Sequence, residues 1–415
     1  MEINLADSAF IMICSAMVFF MTPGLAFFYG GMVRRKNVLN TLMASFFCCG
    51  LASLLWVIMG YSLSFGKDFH GIIGGFNYLF LNGVGGEINS TYSENIPQLL
   101  FALFQMMFAI ITPALITGSL TGRMRFSALF IFIVAWTVLV YYPMAHMVWG
   151  DGGLIKSLGA VDFAGGNVVH ISSGVSGLVA CILLGRRRGY GMISYKPHNI
   201  PFVVIGAALL WFGWFGFNAG SALGAGSLAV HAFMTINTSA ATAMLSWMLI
   251  EKIAHGKPTM LGAATGAVVG LVAITPGAGF VPIWSSIIIG AVVSPICYLC
   301  MGRIKSKFGY DDSLDAFGCH GVGGIWGCIA TGLFTNMSIN SDARWNGLFF
   351  GDFRLLGAQL LSIVITAAFA GIMTFLIIKV IGLFMDIRVE ASEEADGLDI
   401  VEHGESAYPA FTGLD

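Results

Sequence analysis

Residues 162–191 read DFAGGNVVHISSGVSGLVACILLGRRRGYG. From Asp162 to Gly185 the only ionisable side chains besides Cys181 are the opening carboxylate and His170; then come three consecutive arginines, Arg186, Arg187 and Arg188. A helix needs about 20 mainly apolar residues to cross the hydrocarbon of a bilayer. Lys and Arg at the end of such a helix tend to stay on the cytoplasmic side. The stretch is therefore a spanning helix with an inner C-terminal end. Asp162 is placed to cap its first turn, accepting from free backbone N–H groups and facing the positive end of the helix dipole. His170 sits eight residues on, roughly 12 Å deep at 1.5 Å per residue.

The rest of the chain follows the same pattern. Of 415 residues, 57% are hydrophobic and 10% charged, with a mean hydropathy of +0.83. Soluble domains carry about 25% charge, so a water-facing globule is excluded. The formal net charge of −2 offers no electrostatic grip on nucleic acid. Apolar runs between polar breaks give eleven spans, near 8–31, 39–65, 97–120, 126–149, 162–185, 200–221, 228–250, 259–276, 281–302, 315–335 and 355–385. Sixteen of the 20 basic residues fall on one side of this layout, leaving Lys67, Lys156, Arg344 and Arg354 on the other. The expected orientation is N-terminus outside and C-terminus cytoplasmic.

The opening MEINLAD is acidic and lacks the basic start of a secretory signal, so the first span reads as a retained helix. Two units result: a transmembrane domain over 1–385 and a polar, acidic tail over 386–415, flexible unless docked. The eight cysteines all lie in apolar runs and read as small packing residues. Cys297 and Cys300 form a CxxC, but no second pair follows at metal-site spacing. The 54 glycines suit close helix approach, as in Gly262-x3-Gly266-x3-Gly270.

Ionisable groups at membrane depth are costly and therefore informative. His320 follows Asp315 by five residues in the tenth span, and His170 follows Asp162 in the fifth. Five is an odd number of crossings, so the two spans run in opposite directions, which suggests two five-helix repeats of inverted topology with an eleventh helix added. Neutral imidazoles there could exchange hydrogen bonds with a small polar permeant and relay a proton. They would not form an anionic site for a bare metal cation. His146 and His231, nearer span ends, read as structural or interfacial. Phe104, Phe108, Trp149, Trp214, Phe215 and Phe217 are aromatic faces able to bind cations, although spacing alone favours lipid-facing or interfacial positions. No HExxH, GxSxG or paired catalytic carboxylate points to an enzyme.

The segments FMTPGLAFFYGGMVRRKNVLN, AHMVWG, DFAGGNVVHISSGVSGLVACILLGRRRGYG, KPHNIP, WFGWFGFNAGSA, ITPGAGFV, DDSLDAFGCHGVGGIWG and GLDIVEHGESAY, in this order, closely resemble the ammonium transporter (Amt) family of the ammonium transporter/Rhesus superfamily. The resemblance implies an all-α integral membrane fold of eleven helices, assembled as a homotrimer with one narrow pore per subunit. It implies an outer ammonium site at Phe108, Trp149 and Ser221, and a gate at Phe108 and Phe217. It also implies pore histidines His170 and His320, hydrogen-bonded to each other, and a supporting carboxylate, Asp162. Phe104, Trp214 and Thr275 match further positions near the pore or vestibule. Cys319 stands where relatives commonly carry an aliphatic residue.

The implied activity is uptake of ammonium, with methylammonium as analogue, by recruiting NH4+ outside, stripping its proton and conducting NH3. No cofactor is implied. The tail resembles the segment that couples prokaryotic relatives to the nitrogen-regulatory PII signal protein, which ties the chain to nitrogen metabolism. The alternatives are an ammonium sensor acting through a partner, since the tail offers about 30 residues and no fused domain, and a passive ammonia gas channel.

Overall fold

The computed structural model describes residues 2–192 and 195–408. The last seven residues of the expected tail, 409–415, lie outside the described residues. Eleven apolar helices form the body, close to the sequence-derived spans: α1 Leu5–Met32, α2 Arg35–Phe65, α3 Gln98–Leu120, α4 Phe126–Ser157, α5 Gly166–Leu184, α6 Ile200–Gly220, α7 Ser227–His255, α8 Met260–Ile274, α9 Ile283–Phe308, α10 Phe317–Phe334 and α11 Arg354–Ile381. Ten are long enough to cross a bilayer unaided, and α8, with 15 residues, is the short one. Regular helix in α4 ends at Trp149, and a glycine turn follows. Between α2 and α3 lies a small hairpin, β1 Asp68–Phe69 and β2 Ile73–Gly74.

The expected glycine contacts are present. A Cβ on Gly266 would lie 2.7 Å from Trp247, and one on Gly270 2.6 Å from Ala243, so the α8 stripe packs directly on α7. The α1 and α6 helices meet the same way, since a Cβ on Gly206 would stand 2.2 Å from the backbone nitrogen of Phe28. All eight cysteines are buried free thiols.

The halves cross at α5 and α10. A Cβ on Gly174 would sit 2.2 Å from the Gly321 nitrogen, and one on Gly324 would sit 3.0 Å from the His170 Cβ. Both helices begin with a widened, π-helical turn, Gly166–Ile171 and Phe317–Gly321, and each turn carries its histidine. Such turns are uncommon and recur at functional sites. Asp162 precedes His170 by eight residues, and Asp312, not Asp315, precedes His320 by the same interval and caps its helix. The repeat pairing of Asp315 with Asp162 is thus corrected. Asp315 lies at φ 58° and turns instead to Lys305 Nζ, 2.8 Å away.

The basic ends of the helices gather around Asp311. Its carboxylate takes two hydrogen bonds from the Arg187 guanidinium, at 2.7 and 2.9 Å, and faces Arg123 at 4.0 Å. Arg123 is fully buried and donates to the carbonyls of Asp311 at 2.6 Å and Gly185 at 2.8 Å. Arg123 follows α3, Arg187 follows α5 and Asp311 precedes α10, so this cluster ties the halves together. The described part of the tail is docked. Residues 387–389 pair with 123–125, and the helices α12 Ala391–Asp396 and α13 Leu398–His403 follow. Asp399 accepts from the backbone of Val38 at 3.0 Å and Asn40 at 2.9 Å, and Glu402 from that of Phe126 at 3.0 Å. Two tail carboxylates therefore cap the starts of α2 and α4.

Burial alone would push the Asp311 carboxyl up, but the hydrogen bonds and charges of Arg187, with the charge of Arg123, outweigh it and hold the group below its ordinary value. Asp311→Asn leaves Arg123 buried without its counter-charge and should cost about 3–5 kcal/mol, read as a lowered thermal midpoint in detergent. The unfolded chain binds this proton more tightly than the folded one, so the stabilisation is full at neutral pH and lost as acid passes through the folded value. The wild-type midpoint should consequently fall with acid more steeply than that of Asp311→Asn.

Candidate functional site: a ring-lined passage through the bundle

Asp162 anchors the passage. Its two carboxylate oxygens accept from the backbone N–H groups of Gly165 (2.8 Å), Gly166 (2.6 Å), Asn167 (2.7 Å) and Val168 (3.4 Å). These are the orphan donors of the first turn of α5. The backbone enters that turn through Gly165 at φ 121°, where a Cβ would lie 2.6 Å from Val169. The Asp162 carbonyl accepts from the Trp149 indole at 2.9 Å, so one residue fixes both the start of the His170 helix and the ring at its mouth. Asp312 repeats the device at α10, accepting from the N–H groups of Ala316 (3.2 Å) and Phe317 (2.8 Å) and from the Ser119 hydroxyl (2.7 Å).

The rings form a file. The Trp149 and Phe108 centroids are 5.7 Å apart, edge to face. Phe108 and Phe217 follow at 4.3 Å, Phe217 and His170 at 6.3 Å, and His170 and His320 at 5.3 Å. Phe108, Phe217, His170 and His320 are all at most 3% exposed. Trp214 flanks His170 at 5.5 Å, its indole donating to Thr275 Oγ1 at 2.8 Å, and Phe104 backs Phe108 at 5.0 Å. Phe215, named with these rings in the sequence, lies apart and stacks on Phe233 at 4.0 Å. At one end, Phe108, Trp149 and Ser221 line an outer cavity of about 470 Å³ together with Phe65, Tyr92 and Gln105. Beyond His320, Cys319 and Asp315 line a larger cavity of about 1150 Å³ that reaches Arg303 and Lys307 on the basic face.

The expected hydrogen bond between the histidines is absent. The ring planes lie 20° apart. Among the described residues, both ring nitrogens of His170 and Nδ1 of His320 have no hydrogen-bond partner, although all three are buried. Buried polar atoms are nearly always paired, and leaving one bare costs about 1–3 kcal/mol. Three of them in one passage make a polar seam through an otherwise apolar tube.

Sequence reading missed three residues here. Asp312 was signalled by the repeated eight-residue spacing to histidine. Gln105 lines the outer cavity with a buried, unpartnered Oε1, and Asn218, beside Phe217, is fully buried with neither amide atom paired. Each stands alone in an apolar run, and polarity at membrane depth was the available signal.

The fold and passage define a multi-pass membrane transporter. The sequence matches the Ammonium Transporter Family over residues 9–408, and the chain belongs to that family. The ammonium transporter of Bacillus subtilis (strain 168) is 52% identical over 405 residues, covering 98% of this chain and 99% of that one. Among solved structures, Saccharomyces cerevisiae Mep2 superposes with a TM-score of 0.88 at 36% identity, covering 94% of this chain and 89% of that one. A structure titled Sensor Amt Protein superposes at 0.87 with 26% identity, covering 96% and 98%.

Asp162→Ala and Asp312→Ala strip buried N–H groups of their acceptors, so each should cost more than the roughly 1 kcal/mol of an ordinary cap. Thermal midpoints in detergent should fall by similar amounts for the two, with the Asn variants, which keep one acceptor oxygen, in between.

Proposed function

We propose that this ammonium transporter recruits NH4+ in the outer cavity, removes its proton near Phe108 and Phe217, and conducts NH3 past His170 and His320, with the proton relayed separately by the imidazoles. The observation that carries the reading is the file of rings ending on buried imidazole nitrogens that lack partners. Aromatic faces attract a cation by about 0.5–2 kcal/mol, and the Ser221 hydroxyl and Gln105 Oε1 stand in the same cavity as acceptors. Beyond the Phe108–Phe217 pair the walls are rings that cannot replace a hydration shell. A bare ion loses far more free energy there than a neutral molecule with one lone pair and three N–H donors. The unpartnered nitrogens match that molecule, since a neutral imidazole offers one donor and one acceptor. Potassium has no proton to shed and is rejected.

In this reading the basic face is cytoplasmic, the outer cavity opens to the exterior of a cell membrane, and residues 1–385 form the transport domain. Three copies assemble, each with its own passage. The described tail, 386–408, docks on the starts of α2 and α4, and a PII signal protein would cover the passage exit when nitrogen is plentiful. The likeness to a sensor protein keeps one second reading in play, ammonium sensing through a separate partner.

His170→Ala and His320→Ala should each lower ammonium-evoked currents on solid-supported membranes by an order of magnitude or more. Undiminished, still ammonium-selective currents in both would remove the histidines from the mechanism, and a voltage-insensitive flux would mark passive gas conduction. Wild-type proteoliposomes should carry ammonium and methylammonium and exclude potassium. A PII pull-down should respond to ATP and 2-oxoglutarate, whereas indifference to both would dismiss that partner.

A further inference from the structure

His146 and Asp68 lie outside the passage and have no part in the mechanism so far. His146 is fully buried three residues before Trp149. Its Nδ1 faces the Ser64 carbonyl oxygen at 3.0 Å, and its Nε2 faces Asp68 Oδ1 at 2.9 Å. A carbonyl and a carboxylate only accept, whereas a neutral imidazole has a single N–H to donate. The two contacts together require a proton on each ring nitrogen unless Asp68 is the acid. Asp68 is partly exposed, accepts a second hydrogen bond from the Gly71 N–H at 2.7 Å, and has its carboxyl held below the usual range by the His146 hydrogen bond.

Backbone crowds the His146 side of the pair. A Cβ on Gly150 would lie 2.5 Å from His146 Nδ1, one on Gly153 2.3 Å from the His146 carbonyl oxygen, and one on Gly152 2.9 Å from Asp68 Cβ. The Leu154 N–H donates to the Gly71 carbonyl at 2.8 Å, closing the α4 turn on the hairpin. The three segments joined are the end of α2, the β1–β2 hairpin and the end of α4. They carry Phe65 and Trp149 into the outer cavity, and the Tyr92 hydroxyl joins them by donating to the Phe65 carbonyl at 2.9 Å.

We propose that His146, held as an imidazolium by Asp68, is a positioning residue of the outer cavity: the ion pair pins the end of α4 to the hairpin and fixes the Trp149 ring against Phe108. This rests on the reading of that cavity as the recruitment site. Neither residue touches the permeant, and the pair is neutral overall, so it shapes the site without repelling a cation. Its loss weakens recruitment and leaves the passage beyond Phe217 unaltered.

Two measurements test it. Solid-state NMR of ¹⁵N-histidine-labelled protein in bilayers, with the His146 signals assigned by their loss in His146→Gln, should show both ring nitrogens protonated in the wild type and one in Asp68→Asn. Proteoliposome currents should show a several-fold higher KM for ammonium in Asp68→Asn, with the maximal current retained. A neutral His146 in the wild type overturns the proposal, as does an unchanged KM in Asp68→Asn. Trp149→Leu separates this from the recruitment reading. If it raises KM while Asp68→Asn does not, only the positioning role falls. If it leaves KM unchanged, the recruitment site itself is misassigned, and the NMR result still judges the ion pair.

Discussion

The structure depends on carboxylates that satisfy the free N–H groups where α5 and α10 begin. A helix that starts inside a protein at membrane depth has up to four donors and no water to take them. Asp162 takes four at α5 and Asp312 two at α10. With those turns fixed, the widened helical register that follows carries His170 and His320 inward to the same line. Trp149 is tied to the first of these turns through a main-chain carbonyl, so the outer ring and the inner imidazole share one support.

Between these supports the passage is lined by rings in close contact. Phe108 is wedged between Phe104 and Phe217, and Trp214 is held by Thr275. The polar groups of the passage are few, and several have no protein partner: the three imidazole nitrogens, Gln105 Oε1 and both amide atoms of Asn218. Elsewhere in the bundle, hydroxyls mostly bond the carbonyl one turn back, as Thr112, Ser172 and Thr331 do. Other buried polar atoms without a partner among the described residues, such as Ser8 Oγ, Thr137 Oγ1 and Gln359 Oε1, lie elsewhere in the bundle, so what sets the passage apart is that its unpartnered atoms include ring nitrogens and amide groups.

Much of this was legible in the sequence because hydrocarbon imposes a simple rule on it. Eleven apolar runs and a one-sided set of arginines gave the helices to within a few residues, and Asp162 was correctly placed as a cap. The resemblance supplied Phe108, Phe217 and Trp214, whose spacing alone favours a lipid-facing or interfacial role. Three aspartates crowd into DDSLD; the eight-residue spacing to histidine that Asp312 shares with Asp162 is the sequence signal for the cap, and the backbone turn at Asp315 takes that carboxylate away from the helix start. The orientation of the imidazole planes was out of reach, since it is set by Trp214 and by the close approach of α10 at Gly324. His146 read as structural because its partner, Asp68, lies in a hairpin 78 residues away in sequence.

The crossing of α5 and α10 has a consequence for how solutes pass. With Gly174 against the Gly321 backbone and Gly324 against His170, main chain meets main chain, and no side-chain layer remains to act as a bearing. Transporters built from inverted repeats commonly work by swinging one half over the other. Here the fulcrum is seized, and the Asp311 cluster bolts the same halves at the basic face. The route beside this crossing is thus held in place by main chain rather than by a layer that one half could slide over.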